Sequence, residues 1–106
     1  MAAGALRQRV TLLRPVQRGG VVGETLTTWS IVAVVWAQIK DLSGREWYEA
    51  QQLPEGDLST DIIIRYRPDV VRQMRVGHGS RFYDIVAVLD KDSHRKILNL
   101  KCRAVT

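Results

Sequence analysis

Histidine and aspartate side chains are the first candidates for metal chemistry in this chain. His78 lies in the segment GHGS and His94 in DKDSH, and neither has a second histidine or a cysteine at zinc-ligand spacing. Asp90 and Asp92 lie two apart with Asp84 nearby, but the glycine and terminal glutamate of a calcium-binding EF-hand loop are missing. These patterns are typical of polar turns, so we expect no metal site and no cofactor.

Serine, glycine and cysteine show no pattern of a nucleophile or a phosphate-binding loop. The pair Gly19 and Gly20 fits neither GxGxxG nor a P-loop. The lone Cys102 excludes an internal disulfide, and its alternating neighbours predict a small core residue. No serine of the chain stands in a GxSxG context: Ser30, Ser43, Ser59, Ser80, Ser93. We therefore expect that the chain is not an enzyme.

Arginine supplies most of the positive charge. The net charge is +5, and the chain holds 16 lysines and arginines, most of them arginines scattered along its length. Such a charge favours contact with polyanions, and arginine also pairs with carboxylates across protein interfaces. Residues 65–67 and 81–83 come closest to the basic–aromatic pattern of a nucleic-acid-binding strand, although Tyr66 continues an apolar strand face. Three tryptophans are either core residues or anchors of a protein interface: Trp29, Trp36, Trp47.

Length and composition indicate one globular domain over residues 1–106. The hydrophobic fraction is 45% and the charged fraction 25%, both ordinary for a globular protein. No apolar run is long enough to predict a transmembrane helix, and the first ten residues lack the apolar stretch of a signal peptide. We therefore expect no membrane partner.

The middle of the chain predicts one short helix over about residues 43–52. Ser43 and Glu46 have the spacing of a capping box, and Leu42 and Trp47 are placed for a hydrophobic staple. Proline and glycine at positions 54 and 56 stop the helix, and a polar loop follows.

The remaining sequence predicts short strands separated by turns. Strands are expected at residues 7–14, 25–30, 31–42, 60–67, 74–76, 81–89 and 96–104, with Pro15 ending the first, a hairpin loop at 17–24 and a turn at 77–80. A helix is possible at 31–42, but its dense β-branched residues favour a strand. Alternation predicts these inward side chains: Val10, Leu12, Ile62, Ile64, Tyr66, Tyr83, Ile85, Ala87, Leu89, Leu98, Leu100, Cys102, Ala104. The fold class is therefore mainly β, a small antiparallel barrel or sandwich of six to seven strands with one short helix.

Six segments, taken in order, resemble one known family. They are RQRVTLLRP at 7–15, TTWSIVAVVWAQI at 27–39, LSGREWYEAQQ at 42–52, IIIRYRP at 62–68, MRVGHGSRFYDI at 74–85 and LNLKCR at 98–103. Their types and spacing are similar to those of phage head–tail adaptor proteins, also called head-closure or head–tail joining proteins. The resemblance covers nearly the whole chain.

The resemblance implies a structural subunit of a ring, commonly dodecameric, below the portal of a tailed-phage or prophage particle. Such a ring extends the DNA channel, helps to retain packaged DNA and docks the tail. The implied partners are portal or adaptor ring proteins, tail proteins, further copies of the chain, and passing double-stranded DNA without sequence specificity. The implied location is the virion, after assembly in the cytoplasm of the bacterial host.

Two sets of residues become site candidates under this resemblance. In relatives a loop in the middle of the chain projects into the channel, and the matching positions here are Glu49, Gln52, Leu53, Pro54, Glu55, Gly56, Asp57, Leu58 and Ser59. Its acidic side chains would repel phosphate and ease the passage of DNA. Outward arginines are candidates for pairing with acids of a neighbouring subunit: Arg65, Arg67, Arg103.

Two alternatives stay open on sequence grounds. One is a monomeric nucleic-acid-binding barrel of the OB type, which strong and steeply salt-dependent DNA binding would favour. The other is a tail-completion protein of similar fold.

Overall fold

A computed structural model describes residues 6–19, 25–52, 58–90 and 95–105. The described chain contains six strands and one helix. In order they are β1 (Gln8–Gly19), β2 (Thr25–Asp41), α1 (Gly44–Gln51), β3 (Thr60–Arg65), β4 (Arg75–His78), β5 (Arg81–Asp90) and β6 (Ile97–Val105).

The six strands form one closed barrel. Their order around it is β1-β2-β3-β6-β5-β4, and every neighbouring pair is antiparallel. Because the barrel is closed, each strand has a neighbouring strand on both sides. The sheet therefore has no open edge strand, which could otherwise pair with another chain and lead to aggregation. The predicted mainly-β fold with one short helix is confirmed, and of the two architectures left open the barrel is correct.

Apolar side chains from all six strands fill the barrel. Ile62 of β3 lies opposite Leu100 of β6, and both are fully buried. On the β1–β4 side of the barrel, the core is completed by Val10, Leu12 and Val76, which are also almost fully buried. The alternation predicted for β1, β3 and most of β6 is therefore confirmed, because one face of each strand packs inward.

A bulge in β5 changes which side chains face the core. Ile85 lies opposite Cys102 but Ala87 lies opposite Lys101, so Val86 is an extra residue without a partner. Because two residues of β5 oppose one residue of β6 at this bulge, the inward–outward alternation of side chains shifts by one position. Val86 is therefore buried, and Leu89 is 47% exposed. The predicted inward positions of Ala87 and Leu89 are therefore wrong. Ala104, near the end of β6, is also exposed and was wrongly expected inside.

Pro15 does not end the first strand, contrary to the sequence prediction. It lies opposite Trp29, and β1 continues to Gly19. Beyond residue 13 the described part of β1 has β2 as its one partner, since β4 pairs only with residues 11–13. Proline lacks an N–H donor, so it is tolerated where one side of a strand forms no backbone hydrogen bonds with a neighbouring strand.

Other predicted boundaries shift by a few residues. Residues 25–30 and 31–42 form the single strand β2, so the preference for strand over helix at 31–42 is confirmed. Residues 17–19 of the predicted hairpin loop belong to β1, and residues 20–24 lie outside the described residues. β3 ends at Arg65, and the turn after β4 begins at Gly79.

Candidate functional site: the helix–loop segment and the Trp36 wall

The segment between β2 and β3, residues 42–59, leaves and re-enters the barrel at one place; we call it the helix–loop segment. The Leu42 N–H donates to the Ser59 carbonyl at 2.8 Å, and the Ser59 N–H donates to the Cys102 carbonyl at 3.0 Å. The Ser59 Oγ accepts from the Ala104 N–H at 3.1 Å. Ser59 thus ties both ends of the segment to β6, which fixes the segment at this end of the barrel.

Helix α1 forms where the sequence predicts it. Gly44 is its first residue, with φ +53°, and the Trp47 N–H donates to the Ser43 carbonyl at 3.4 Å. The Glu46 carboxylate lies 3.4 Å from Lys40 Nζ, so it pairs with β2 instead of reaching back to the Ser43 backbone. The capping-box spacing therefore marks the start of the helix correctly, although its reciprocal side-chain bond is replaced by an ion pair.

Two aromatic side chains of α1 remain open to solvent. Trp47 is 48% exposed and lines a groove with Phe82 of β5 and Val105 of β6. The predicted staple partner Leu42 lines the same groove. Tyr48 is 63% exposed. An eight-residue helix depends on packing for its stability, which Trp47 provides in part through this groove, while Tyr48 stays largely in solvent.

Replacing Gly44 with alanine is expected to destabilise the protein by about 1 kcal/mol, because a Cβ is strained in the left-handed region. Better helix propensity for alanine offsets part of this cost. The measurement is the free energy of unfolding in urea. Gly19→Ala is the matched control, since no positive φ is found there and no atom lies within 4 Å of the added Cβ. A neutral or stabilised Gly44→Ala variant would contradict this helix start.

Of the candidate channel-facing residues that the structure describes, two anchor the segment and two are exposed. Leu58 is buried against Val86, and its carbonyl accepts from Gln51 Nε2 at 2.7 Å. Leu58 and Ser59 therefore hold the segment onto the barrel. Glu49 and Gln52 are exposed. The rest of the candidate loop lies outside the described residues: Leu53, Pro54, Glu55, Gly56, Asp57.

Arg67, a candidate for subunit pairing, has a partner inside its own subunit. Its guanidinium donates to Asp69 through Nε at 3.1 Å and through Nη2 at 2.9 Å. This bidentate hydrogen bond raises the pKa of Arg67 and lowers the pKa of the Asp69 carboxyl. Because both groups are partly exposed, a neighbouring chain could share the pair at little cost.

The other two candidate arginines lie far apart. Arg103 is opposite Asp84, whose carboxylate accepts from Arg75 Nε at 2.9 Å. Arg65 is opposite Ile97, at the other end of β6. Six residues of strand separate the two positions, which corresponds to roughly 20 Å. The structure therefore does not bring Arg65, Arg67 and Arg103 together into one patch.

A second exposed surface surrounds Trp36, which the sequence offered as either a core residue or an interface anchor. Arg9 lies across the ladder from Trp36, with its guanidinium 4.8 Å from the ring centroid. Arg7, Trp36 and Arg65 line a shallow groove, and Val34 is exposed on the same strand face. We call Arg7, Arg9, Val34, Trp36 and Arg65 the Trp36 wall. Trp36 is 50% exposed in it.

The described part of the chain shows neither a group of metal ligands nor a reactive cysteine. There, His, Cys, Asp and Glu side chains nowhere gather in a group of three that could hold a metal ion. The Cys102 thiol is buried, and burial together with the negative charges of Asp61 and Asp84 raises its pKa. A buried thiol of raised pKa is a poor nucleophile. Within the same residues, no helix has the length and apolarity needed to cross a bilayer.

Comparisons with known proteins point to one family. Protein SF1141 from Shigella flexneri 2a, a solution structure, superposes with a TM-score of 0.77 and 29% identity, over 98% of this chain and 96% of that chain. A chain from the virion of a native gene transfer agent particle shares the fold, with a TM-score of 0.63 and 19% identity, over 94% of this chain and 96% of that one. No curated protein sequence matches. The model of the family described as phage head completion protein matches residues 1–105, and the chain therefore belongs to that family.

Proposed function

We propose that the chain is a non-catalytic subunit of a head–tail connector ring, located below the portal of a tailed-phage or prophage particle. There it extends the DNA channel, helps to retain packaged DNA and docks the tail. The observation that carries this proposal is the family match over residues 1–105. The fold shared with a chain of a virion particle supports it.

The helix–loop segment is the part of the subunit that we assign to the channel. Within it, the loop after α1 begins and ends at one anchored point, because Gln51 Nε2 donates to the Leu58 carbonyl. The sequence between these ends carries Glu55 and Asp57 and no basic residue. Carboxylates facing the duplex repel its phosphates, which eases passage while the loop itself narrows the channel.

The proposed partners follow from the same position. They are portal or adaptor ring proteins on the head side, tail proteins on the other side, and further copies of the chain in a dodecameric ring. Double-stranded DNA passes without sequence-specific contact. The protein is a virion component, assembled in the cytoplasm of the host.

Removing the chain from a host that produces the particle tests the proposal. We expect tailless heads that lose much of their packaged DNA, and supplying the chain again in the producing host should restore both DNA retention and tail joining. Electron microscopy and plaque or transfer titre measure both outcomes. Normal tailed particles in the absence of the chain would overturn the proposal. The same experiment distinguishes head completion from tail completion. A head-completion protein should be found on the heads whose tail joining it restores, whereas a tail-completion protein would purify with tails.

Shortening the loop is expected to weaken DNA retention without preventing ring assembly. Two glycines in place of residues 53–57 keep the Gln51–Leu58 anchor while removing the part that narrows the channel. The measurement is the fraction of packaged DNA that stays protected from nuclease in purified, tailless heads. The control Glu55→Gln with Asp57→Asn keeps the length and removes the charge, and should retain DNA. Unchanged retention in the shortened variant would refute the gating role and leave the connector role intact.

A further inference from the structure

Strand β2 extends well beyond the strand that pairs with it on one side. Residues 25–36 run beside β1, whereas β3 pairs only with residues 37–41 of β2. In the described chain, the backbone hydrogen bonds outside the strand ladders do not involve residues 25–36 either. Although no strand of the barrel is open along its whole length, residues 25–36 therefore leave one side of their backbone unpaired. We call this side the free edge of β2.

The free edge of β2 lacks the residues that usually protect a strand edge. Soluble proteins block such edges with charged side chains, with proline or by keeping the strand short. Residues 25–36 hold no charged residue, no proline and no glycine, and a bulge at Val32 is their one irregularity. By contrast, residues 14–19 of β1, which lie beyond the pairing with β4, hold two arginines, a proline and a glycine. This contrast indicates that the free edge of β2 is covered in the assembled state.

Apolar side chains line the free edge of β2. Ile31, Val34 and Trp36 are all exposed to solvent. Val32 packs against the barrel core and lines a groove with Ile31 and the exposed Val71. Cross-strand pairs of apolar and β-branched side chains stabilise a ladder on each face. An extended strand with such residues at alternate positions therefore fits this edge.

The Trp36 wall lies at one end of the free edge and gives that end a positive charge. The Arg9 guanidinium lies over the Trp36 ring, and Arg65 lines the groove beside that ring. Neither arginine forms an ion pair with any described residue, and no described carboxylate lines the groove. A carboxylate at the matching end of an added strand therefore has two guanidinium groups to pair with.

We infer that the free edge of β2 binds an extended strand of another polypeptide of the particle, by strand addition beside residues 29–36. This inference rests on the proposed function, which supplies the particle. In strand addition, backbone hydrogen bonds supply affinity and the alternating side chains supply specificity. One strand is small beside the roughly 1,200–2,000 Å² that a stable interface buries. The strand therefore belongs to a protein already held in the same particle, where tethering raises its effective concentration.

A second copy of this chain is a less suitable source of the strand. Two β2 edges would pair about a twofold axis, and a ring built from one repeated head-to-tail contact has no such axis between neighbours. Two other stretches of the described chain are paired with at most one strand, residues 14–19 of β1 and 86–90 of β5. Both are shorter than residues 25–36 and carry charge, so they match the free edge poorly.

Photocrosslinking in assembled particles tests the contact. A photoreactive phenylalanine analogue in place of Val34, or of Trp36, should capture one segment of another polypeptide, and mass spectrometry locates the captured residues. Because the two positions are two residues apart on one strand face, the captured residues should also be two apart. The matched control carries the analogue in place of Leu89, which is as exposed as Val34 but lies on β5, and should capture that segment at least about tenfold less.

A lysine on the edge separates strand addition from general apolar contact. Val34→Lys introduces the kind of charge that protects natural edges, and should reduce the capture from Trp36 at least about tenfold. Leu89→Lys places the same charge on β5, two strands away from β2 in either direction, and should leave the capture unchanged. Urea unfolding checks that both variants are folded. Ile31→Lys, at a more exposed position of the edge, replaces Val34→Lys if that variant does not fold.

Hydrogen exchange on the purified chain tests the edge without a particle. Alternate amides of residues 27–36 point away from β1, so they should exchange fast in the free chain. The probe is a soluble peptide of about eight residues, with alternating valine and threonine and a glutamate at each end. It should slow these amides at least about tenfold in the unmodified chain and in Leu89→Lys, but not in Val34→Lys.

The outcomes separate this inference from the proposed function. No capture from Val34 or Trp36, in particles that hold the chain at the head–tail junction, overturns strand addition and leaves the connector role standing. Capture of a second copy, or captured residues three or four apart as on a helix, also overturns it. If the chain is absent from the junction, the proposed function fails, while fast amides that the peptide protects would still establish that β2 accepts a strand. Slow exchange throughout residues 27–36 of the free chain would show that the edge is already covered, and the inference would fail.

Discussion

Replacing Leu100 with alanine is expected to cost about 2–5 kcal/mol of unfolding free energy, the largest single effect on stability that we predict. Leu100 is fully buried, with Ile62 of β3 on one side and Val88 of β5 on the other. A closed barrel has little freedom to collapse onto the space that is left. Since a whole domain is stable by only about 5–15 kcal/mol, the variant should unfold at a temperature lower by roughly 10 °C or more.

Leu89→Ala is the matched control for this prediction. It removes the same atoms from a leucine of the adjacent strand, but the bulge in β5 leaves that side chain 47% exposed. Its cost should stay within about 0.5 kcal/mol. Urea unfolding with an unchanged m-value measures both variants. Equal losses for the two would show that the bulge is misplaced and that Leu89 faces the core.

The sequence predicted the fold because the barrel strands alternate strongly. Residues such as Ile62 and Ile64 carry one apolar face, and period-two alternation is the defining signal of a half-buried strand. The bulge in β5 was not predicted, because an extra residue such as Val86 is defined by the pairing of β5 with β6. The amino-acid types along β5 do not reveal it. Pro15 was misread for a related reason: whether proline ends a strand depends on which neighbours the strand has, and topology decides that.

The functional surfaces were predictable only in part. The helix was found from the cap and staple positions, and the resemblance to head–tail joining proteins is confirmed by the family match over residues 1–105. The Trp36 wall was not found as a surface, because residues 31–37 of β2 are apolar at every position and do not show which face is outward. The folded barrel shows that this tryptophan lies outside the core, half-exposed and opposite Arg9.

Cys102 should be alkylated at least about a thousandfold more slowly in the native protein than in denaturant, the second large effect that we predict. The thiol is fully buried and donates to the Leu100 carbonyl at 3.4 Å. Its pKa is raised, first by burial and then by Asp61 and Asp84, so the reactive thiolate is disfavoured even where reagent enters. Because β6 has a paired strand on both sides, exposing Cys102 requires opening of the barrel, and for a domain stable by about 5–15 kcal/mol global opening is rarer than one molecule in a thousand.

A second thiol on the surface makes this experiment internally controlled. In Ser80→Cys protein, the added thiol lies in the exposed turn after β4 and should react at the rate of a free cysteine, while Cys102 in the same molecule stays protected. Mass spectrometry resolves the two rates. Leu100→Ala should then speed the labelling of Cys102 by the factor that corresponds to its loss of stability, about tenfold for each 1.4 kcal/mol, if both report the same opening. Fast labelling of Cys102 in the native protein, or no acceleration in Leu100→Ala, would show that β6 opens locally, and the barrel would then not unfold as one unit.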